Sequence, residues 1–152
     1  LTLYQLPIEQ IDKLGQTFDF IDVVGVLHHL PDPLMGLKAL KRVLAPHGVM
    51  AVMLYGQYGR TGVYMLQELF KRLGVEQRPE DVNFVKQTLA VLPSGHPASA
   101  LLAQAAELDF DAGLVDLFLH PVDKPFTVKG CLDLVENARL TFQGWLNNYY
   151  YY

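Results

Sequence analysis

The sequence predicts an α/β fold: a parallel sheet that carries a helical insertion. Two observations support this. Residues Phe18 to Leu27 (FDFIDVVGVL) and Val49 to Tyr55 (VMAVMLY) are dense, β-branched apolar runs of the kind covered on both faces in a parallel sheet, and a helical pattern separates them. Residues 62 to 120 then show helical periodicity and no strand signal.

Leu1 to Gln5 alternates apolar and polar residues and predicts a short strand, ended by Leu6-Pro7 because proline cannot donate to a ladder. Ile8 to Gly15 reads as a connecting turn. After the strand at Phe18 to Leu27, Asp32-Pro33 supplies an N-cap and a proline at the first helical position. Leu34, Leu37, Leu40 and Leu44 follow at helical spacing, and Pro46 and Gly48 stop the helix. The strand Val49 to Tyr55 completes a strand, helix, strand unit with an expected right-handed crossover.

Beyond the loop GQYGRTG, four apolar stripes predict four helices. Val63, Leu66, Phe70 and Leu73 line the first; Val82, Val85, Leu89 and Leu92 line the second, after Pro79. Leu101, Ala105 and Leu108 mark a third after Pro97, and Leu114, Leu117 and Phe118 a short fourth. Thr127 then caps another helix with Leu132, Val135 and Ala138 inward, and Leu140 to Trp145 predicts a last strand. The tail, Asn147-Asn148 and four tyrosines, fits a hairpin or no ordered structure.

With 152 residues the chain can bury one sizeable core. At 51% hydrophobic and 18% charged residues it is too apolar for a disordered protein, and no apolar run approaches the ~20 residues of a membrane helix. The net charge of -4, with no basic run longer than Lys41-Arg42 or Lys71-Arg72, excludes a nucleic-acid surface and points to small molecules or proteins as partners. Cys131 stands alone, which rules out an internal disulfide and a cysteine-based zinc site. A lone cysteine and no visible signal peptide predict a cytoplasmic location. Residue 1 is Leu and the sequence opens inside a predicted strand, as expected of a segment from a longer chain.

Residues 18 to 60 (FDFIDVVGVLHHLPDPLMGLKALKRVLAPHGVMAVMLYGQYGR) resemble class I S-adenosylmethionine-dependent methyltransferases. The shared features are a strand opening at "FD" and ending in a small residue with "LHH", a helix opening at "DP", and "L-x-P-x-G" leading into the next strand. The likeness extends over residues 1 to 60 and more loosely over 110 to 146. It implies a partial Rossmann-like domain over residues 1 to 152, with 62 to 120 as a lid. It also implies S-adenosyl-L-methionine as cofactor and methyl transfer to a small-molecule or protein acceptor.

Ligands of doubly wound sheets sit beyond the carboxyl ends of the strands. The resemblance therefore assigns the methionine part of the cofactor to the backbone at Gly25 and Val26, with Leu27 and His28 or His29 closing over it. The family's adenine-binding Asp falls on Pro7, so Glu9 or the backbone of Ile8 would substitute. The glycine-rich "G-x-G-x-G" loop and the acidic ribose residue would lie upstream of Leu1, and the loop GQYGRTG follows the wrong strand to replace them. In the family's strand order, three, two, one, four, five, seven, six, only strands four and five of this chain are neighbours. The edge of strand four would then need the missing N-terminal strands of a parent chain or another subunit, and the segment alone is expected to be marginally stable and inactive.

Tyr55, Tyr58, Arg60, Tyr64 and Gln67 form the most polar cluster. Ordinary loop and helix packing explains it equally well; the functional reading makes Arg60 a bidentate clamp for a carboxylate or phosphate, with Tyr55, Tyr58 and Tyr64 lining the acceptor pocket. His28-His29 lacks a carboxylate or Cys at ligand spacing, so no metal is expected. His47, His96 and His120 read as surface positions beside prolines. Asp116, Asp123, Glu107 and Asp109 read as caps and solvated charges, so no catalytic base is named. Arg139 stands where the family pattern has a left-handed glycine, and Gly130 stands where Glu would complete the capping box of Thr127. A non-catalytic interaction module is the alternative reading; a nucleotide-dependent oxidoreductase would need hydride-transfer residues that the sequence does not show.

Overall fold

The computed structural model describes residues 1–103, 108 and 110–147. The chain divides into two compact units. One comprises residues 1–55 and the chain from Lys124 onward; the other is Gly56–Asp123. The helices expected over 62 to 120 thus belong to a slightly wider unit.

The first unit opens with extended residues 1–7 and a 3-10 turn, Ile8–Leu14, closed by Gly15. Strand β1, Phe18–Val24, lies parallel to β2, Leu44–Met53, with helix α1, Pro33–Val43, between them in sequence. Asp32 caps α1 as its sequence predicts: Oδ1 accepts from the N–H groups of Leu34 (2.9 Å) and Met35 (3.1 Å). The helix ends at Val43, earlier than the leucine spacing implied, because Pro46 disfavours the helical region for Ala45. Leu44 consequently becomes the first residue of β2.

The ladder is regular from Phe20 opposite Val49 to Val24 opposite Met53, but Phe18 pairs with Leu44. Residues 45–48 therefore bulge, since Pro46 has no N–H to donate. Gly48 turns tightly there; a Cβ on it would stand 2.9 Å from the Phe18 carbonyl oxygen.

Ile21 and Val23 of β1 and Met50 and Val52 of β2 face a core with Leu27, Leu37, Leu40, Leu134 and Ala138. The opposite face of the same sheet is open: Phe20 is 61%, Val24 58% and Val49 51% exposed. Coverage on both faces was expected from the apolar runs; among the described residues of this unit one face is covered, since α1 and helix α6, Val128–Asn137, both join the same core. Neither Leu1 to Gln5 nor Leu140 to Trp145 is a strand. Alternation alone cannot make a strand without a ladder partner, and β1 and β2 pair only with each other among the described residues.

Thr127 caps α6, its Oγ1 accepting from Gly130 N–H at 2.9 Å. Leu134 and Ala138 point inward, while Leu132 is 38% exposed, so the helix is rotated from the phase predicted. Arg139 occupies the left-handed region with φ 55°. Its N–H donates to Glu136 O and that of Leu140 to Val135 O, the double bond of a Schellman ending. Lys41 Nζ donates to the carbonyls of Ala138 and Arg139 at the same helix end, where a cation is favoured.

The second unit is helical: α2 is Thr61–Arg72, α3 Pro79–Ala90, α4 Ser99–Leu102 and α5 Asp111–Leu119. Its core joins Val63, Leu66 and Phe70 of α2 with Val82 and Val85 of α3, Ala98, and Leu114, Leu117 and Phe118 of α5. Phe70 is fully buried and meets Phe118 edge to face at 5.9 Å. Leu73, expected on this face, is 57% exposed because α2 ends one residue before it. Of the predicted third helix, Leu101 lies in α4, while Ala105 is outside the described residues, as are Glu107, Asp109 and the tyrosine tail.

Candidate functional site

The chain beyond the carboxyl end of β1 is the natural place for a ligand in a parallel strand and helix unit. Gly25 stands there with φ 74°, a conformation that L side chains rarely adopt. Its Cβ position has no atom within 4 Å, so a ligand can approach the backbone directly. Val26 is 39% exposed beside it. A short 3-10 turn follows, Leu27–His29.

Leu27 and His28 are fully buried, so their side chains support this turn from inside. The sequence reading placed them over the ligand, but they lie beneath the turn's surface, drawn in by the core shared with Leu37 and Leu40. Leu27 and Ile8, which belong to distant segments, do come together: a Cβ at Gly36 would stand 3.1 Å from Leu27 Cδ2 and 3.8 Å from Ile8 Cγ2. The 3-10 turn expected on the adenine side therefore meets the turn expected on the methionine side over Gly36. Glu9 is exposed, and its carbonyl accepts from Arg42 Nη2 at 2.8 Å.

Tyr55, at the end of the segment after β2, lies against the same turn. Its ring is 3.8 Å from that of His28, tilted by 33°, and His29 contacts both rings edge-on. The His28 carbonyl accepts from Lys124 N–H (3.0 Å), the Tyr55 carbonyl accepts from Phe126 N–H (2.8 Å), and Lys124 Nζ donates to Pro31 O. Among the described residues, no three His, Cys, Asp or Glu side chains come together as metal ligands.

Tyr58, Arg60 and Tyr64 belong to the helical unit. Tyr58 is 76% exposed, whereas the Arg60 side chain is mostly buried. Arg60 Nη2 lies 3.5 Å from Asp123 Oδ2, and the guanidinium stands 5.8 Å from the Tyr64 ring centroid. Gln67 Nε2 donates to the same Asp123 oxygen and to Leu117 O, both at 2.8 Å. Tyr64 Oη donates to Gly56 O at 3.2 Å. The guanidinium proposed as an anion clamp thus already has a carboxylate beside it.

Asp123 is the residue that sequence reasoning missed. It was read as a solvated charge, yet its side chain is 4% exposed and binds Arg60 and Gln67. No local signal marks it, because its partners lie 56 and 63 positions away. His96 and His120, read as surface positions, are half-buried, and each Nδ1 accepts from a backbone N–H two residues on, of Ala98 and Val122. His47 is exposed. Cys131 is half-buried, and burial pushes its thiol above the usual range.

An open groove of about 350 Å³ in the helical unit is lined by Leu89, Ala90, Leu102, Leu108, Leu114 and Lys86. It contains none of the expected site residues, and Lys86 is paired with Asp111 at 2.5 Å. It lacks the converging polar groups of a functional pocket. No helix among the described residues is long and apolar enough to cross a membrane.

A family model described as "Methyltransferase domain" matches residues 5–108. An uncharacterized protein of Synechococcus sp. is 31% identical over 146 residues; the match covers 93% of this chain but 35% of that protein. The chain thus spans about a third of the length of this relative.

Proposed function

The chain belongs to the methyltransferase domain family, and we propose that it supplies one wall of an S-adenosyl-L-methionine site within a longer protein. The observation that carries this reading is Gly25, left-handed and open to an approaching ligand where β1 ends. Its backbone and that of Val26 would take the methionine part of the cofactor, with His29 at the rim and Leu27 and His28 holding the turn from below. Ile8, which meets Leu27 over Gly36, and Glu9 would serve the adenine side. When bound, the cofactor supplies an electrophilic methyl group. What the chain contributes is a fixed backbone surface and exclusion of water, the two effects on which an alignment-driven transfer depends.

The acceptor is a small molecule or a protein, and its recognition is assigned to the helical unit. Tyr58 is the exposed candidate there, with Tyr64 beside Arg60; Arg60 holds Asp123 before any acceptor arrives, and Tyr55 supports the His28 turn. The outer edge of β1, which among the described residues pairs with β2 alone, is assigned to the N-terminal strands of the parent chain or to another subunit. Cytoplasmic location belongs to the same proposal.

Titration of the full-length parent with S-adenosylhomocysteine, read by hydrogen exchange, tests the reading. Binding with slower exchange at Gly25 to His29 is the expected result. No binding by the full-length protein would leave the alternative, a non-catalytic interaction module, in its place.

A further inference from the structure

The helical unit leaves the sheet unit after Tyr55 and the chain returns at Lys124. Its two ends are fastened separately within each unit. On the sheet side, the His28 carbonyl accepts from Lys124 N–H, the Tyr55 carbonyl accepts from Phe126 N–H, and the His28 ring lies 3.8 Å from that of Tyr55. His28 therefore touches both stems, the outgoing one by its ring and the returning one by its backbone.

On the helical side, Asp123 is the last residue of the unit. Its carboxylate binds Arg60 and Gln67, which lie just before and within α2. Gln67 also donates to Leu117 in α5, so the first and last helices share one polar node. Both Arg60 and Asp123 are mostly buried, 11% and 4% exposed by side chain, where a charge-assisted contact is little screened. The core of this unit shares no residue with that of the sheet unit. A unit with its own core can keep its internal packing while its ends loosen.

We propose that His28 and Asp123 are positioning residues, one in each unit, that close the stems at which the helical unit begins and ends, so that the stems loosen independently of the helix interiors. His28 belongs to the turn after β1, so any ligand that stiffens that turn also stiffens both stems. This last consequence rests on the cofactor reading given above, whereas the closure of the stems does not.

Hydrogen exchange on the whole chain without any ligand tests it, so a failure here is separate from a failure of methyl-donor binding. Asp123→Asn removes the charge that holds Arg60, and stem amides at residues 56–60 and 120–126 are expected to exchange about tenfold to a hundredfold faster. The interior amides of α2 and α5 keep their protection. Gln67→Leu, which leaves the ion pair intact, loosens the same stems to a smaller degree and serves if Asp123→Asn does not fold. His28→Ala, which removes the ring packed on Tyr55, loosens the stem at Tyr55. Unchanged stem exchange in these variants would overturn the proposal. So would protection lost throughout α2 and α5 together with the stems.

Discussion

Replacing Gly62 by alanine probes the tightest backbone contact of the helical unit. Gly62 is the second residue of α2, and a Cβ built on it would stand 2.1 Å from Ala98 N, 2.4 Å from Pro97 C and 2.6 Å from Ala98 Cα. All three are backbone atoms, so no side chain can swing aside. An ordinary contact begins at 3.4 Å, which requires the chain at 97–98 to retreat by about 1.3 Å. Ala98 is itself buried in the core, and its N–H donates to His96 Nδ1. Overpacking of this kind costs about 1–3 kcal/mol, against a helix-propensity gain for alanine of at most about 1 kcal/mol. A net loss of up to about 2 kcal/mol follows, and a unit of this size loses roughly 4–8 °C of melting temperature per kcal/mol. Thermal unfolding followed by circular dichroism measures this directly. Gly130→Ala serves as the control, because its new Cβ would meet only the Thr127 Oγ1 at 3.3 Å and the Phe126 ring at 3.7 Å. That variant should gain a few tenths of a kcal/mol. Equal, raised melting temperatures for both variants would refute the close approach of α2 to residues 97–98.

Arg139→Gly removes a side chain from a left-handed residue and is expected to stabilise the chain by about 0.5–1 kcal/mol, read as a raised denaturation midpoint; a lowered midpoint would show that the arginine contributes more than its strain costs. Asp32→Ala deletes the acceptor for two N–H groups of α1 and should cost about 1 kcal/mol, with faster exchange confined to the Leu34 and Met35 amides. Burial disfavours the Cys131 thiolate, so the folded state holds that proton more tightly than the unfolded chain does. The stability this provides is complete below the ordinary thiol pKa and is lost as pH rises towards the raised value. Alkylation by iodoacetamide at neutral pH should accordingly be slower than for a free cysteine, and a faster reaction would contradict the burial.

The sequence by itself determined the elements whose cause is local. Asp32-Pro33 and Thr127 state where two helices begin because a capping side chain bonds its own neighbours. Arg139, at a position that calls for glycine, announced a left-handed residue that the backbone adopts. The parallel pairing of Phe18–Val24 with Leu44–Met53 was equally legible, since two strands joined by one crossover helix run in the same direction. Gly25 was singled out only through the family resemblance; the apolar run extends the strand to Leu27, whereas β1 ends at Val24, where Gly25 turns left-handed.

Tertiary structure decided the rest, wherever the partner is remote. Alternation at Leu1 to Gln5 and apolar character at Leu140 to Trp145 suggested strands, but a strand exists only with a ladder beside it. Phe20 and Ile21 look equally apolar in sequence, yet only the second faces the core, because α1 and α6 cover one side of the sheet. Asp123 resembles any loop carboxylate until the fold brings Arg60 and Gln67 to it. His28 likewise became a support for Tyr55 and Lys124, since burial and neighbours set the role of a side chain and neither is encoded next to it.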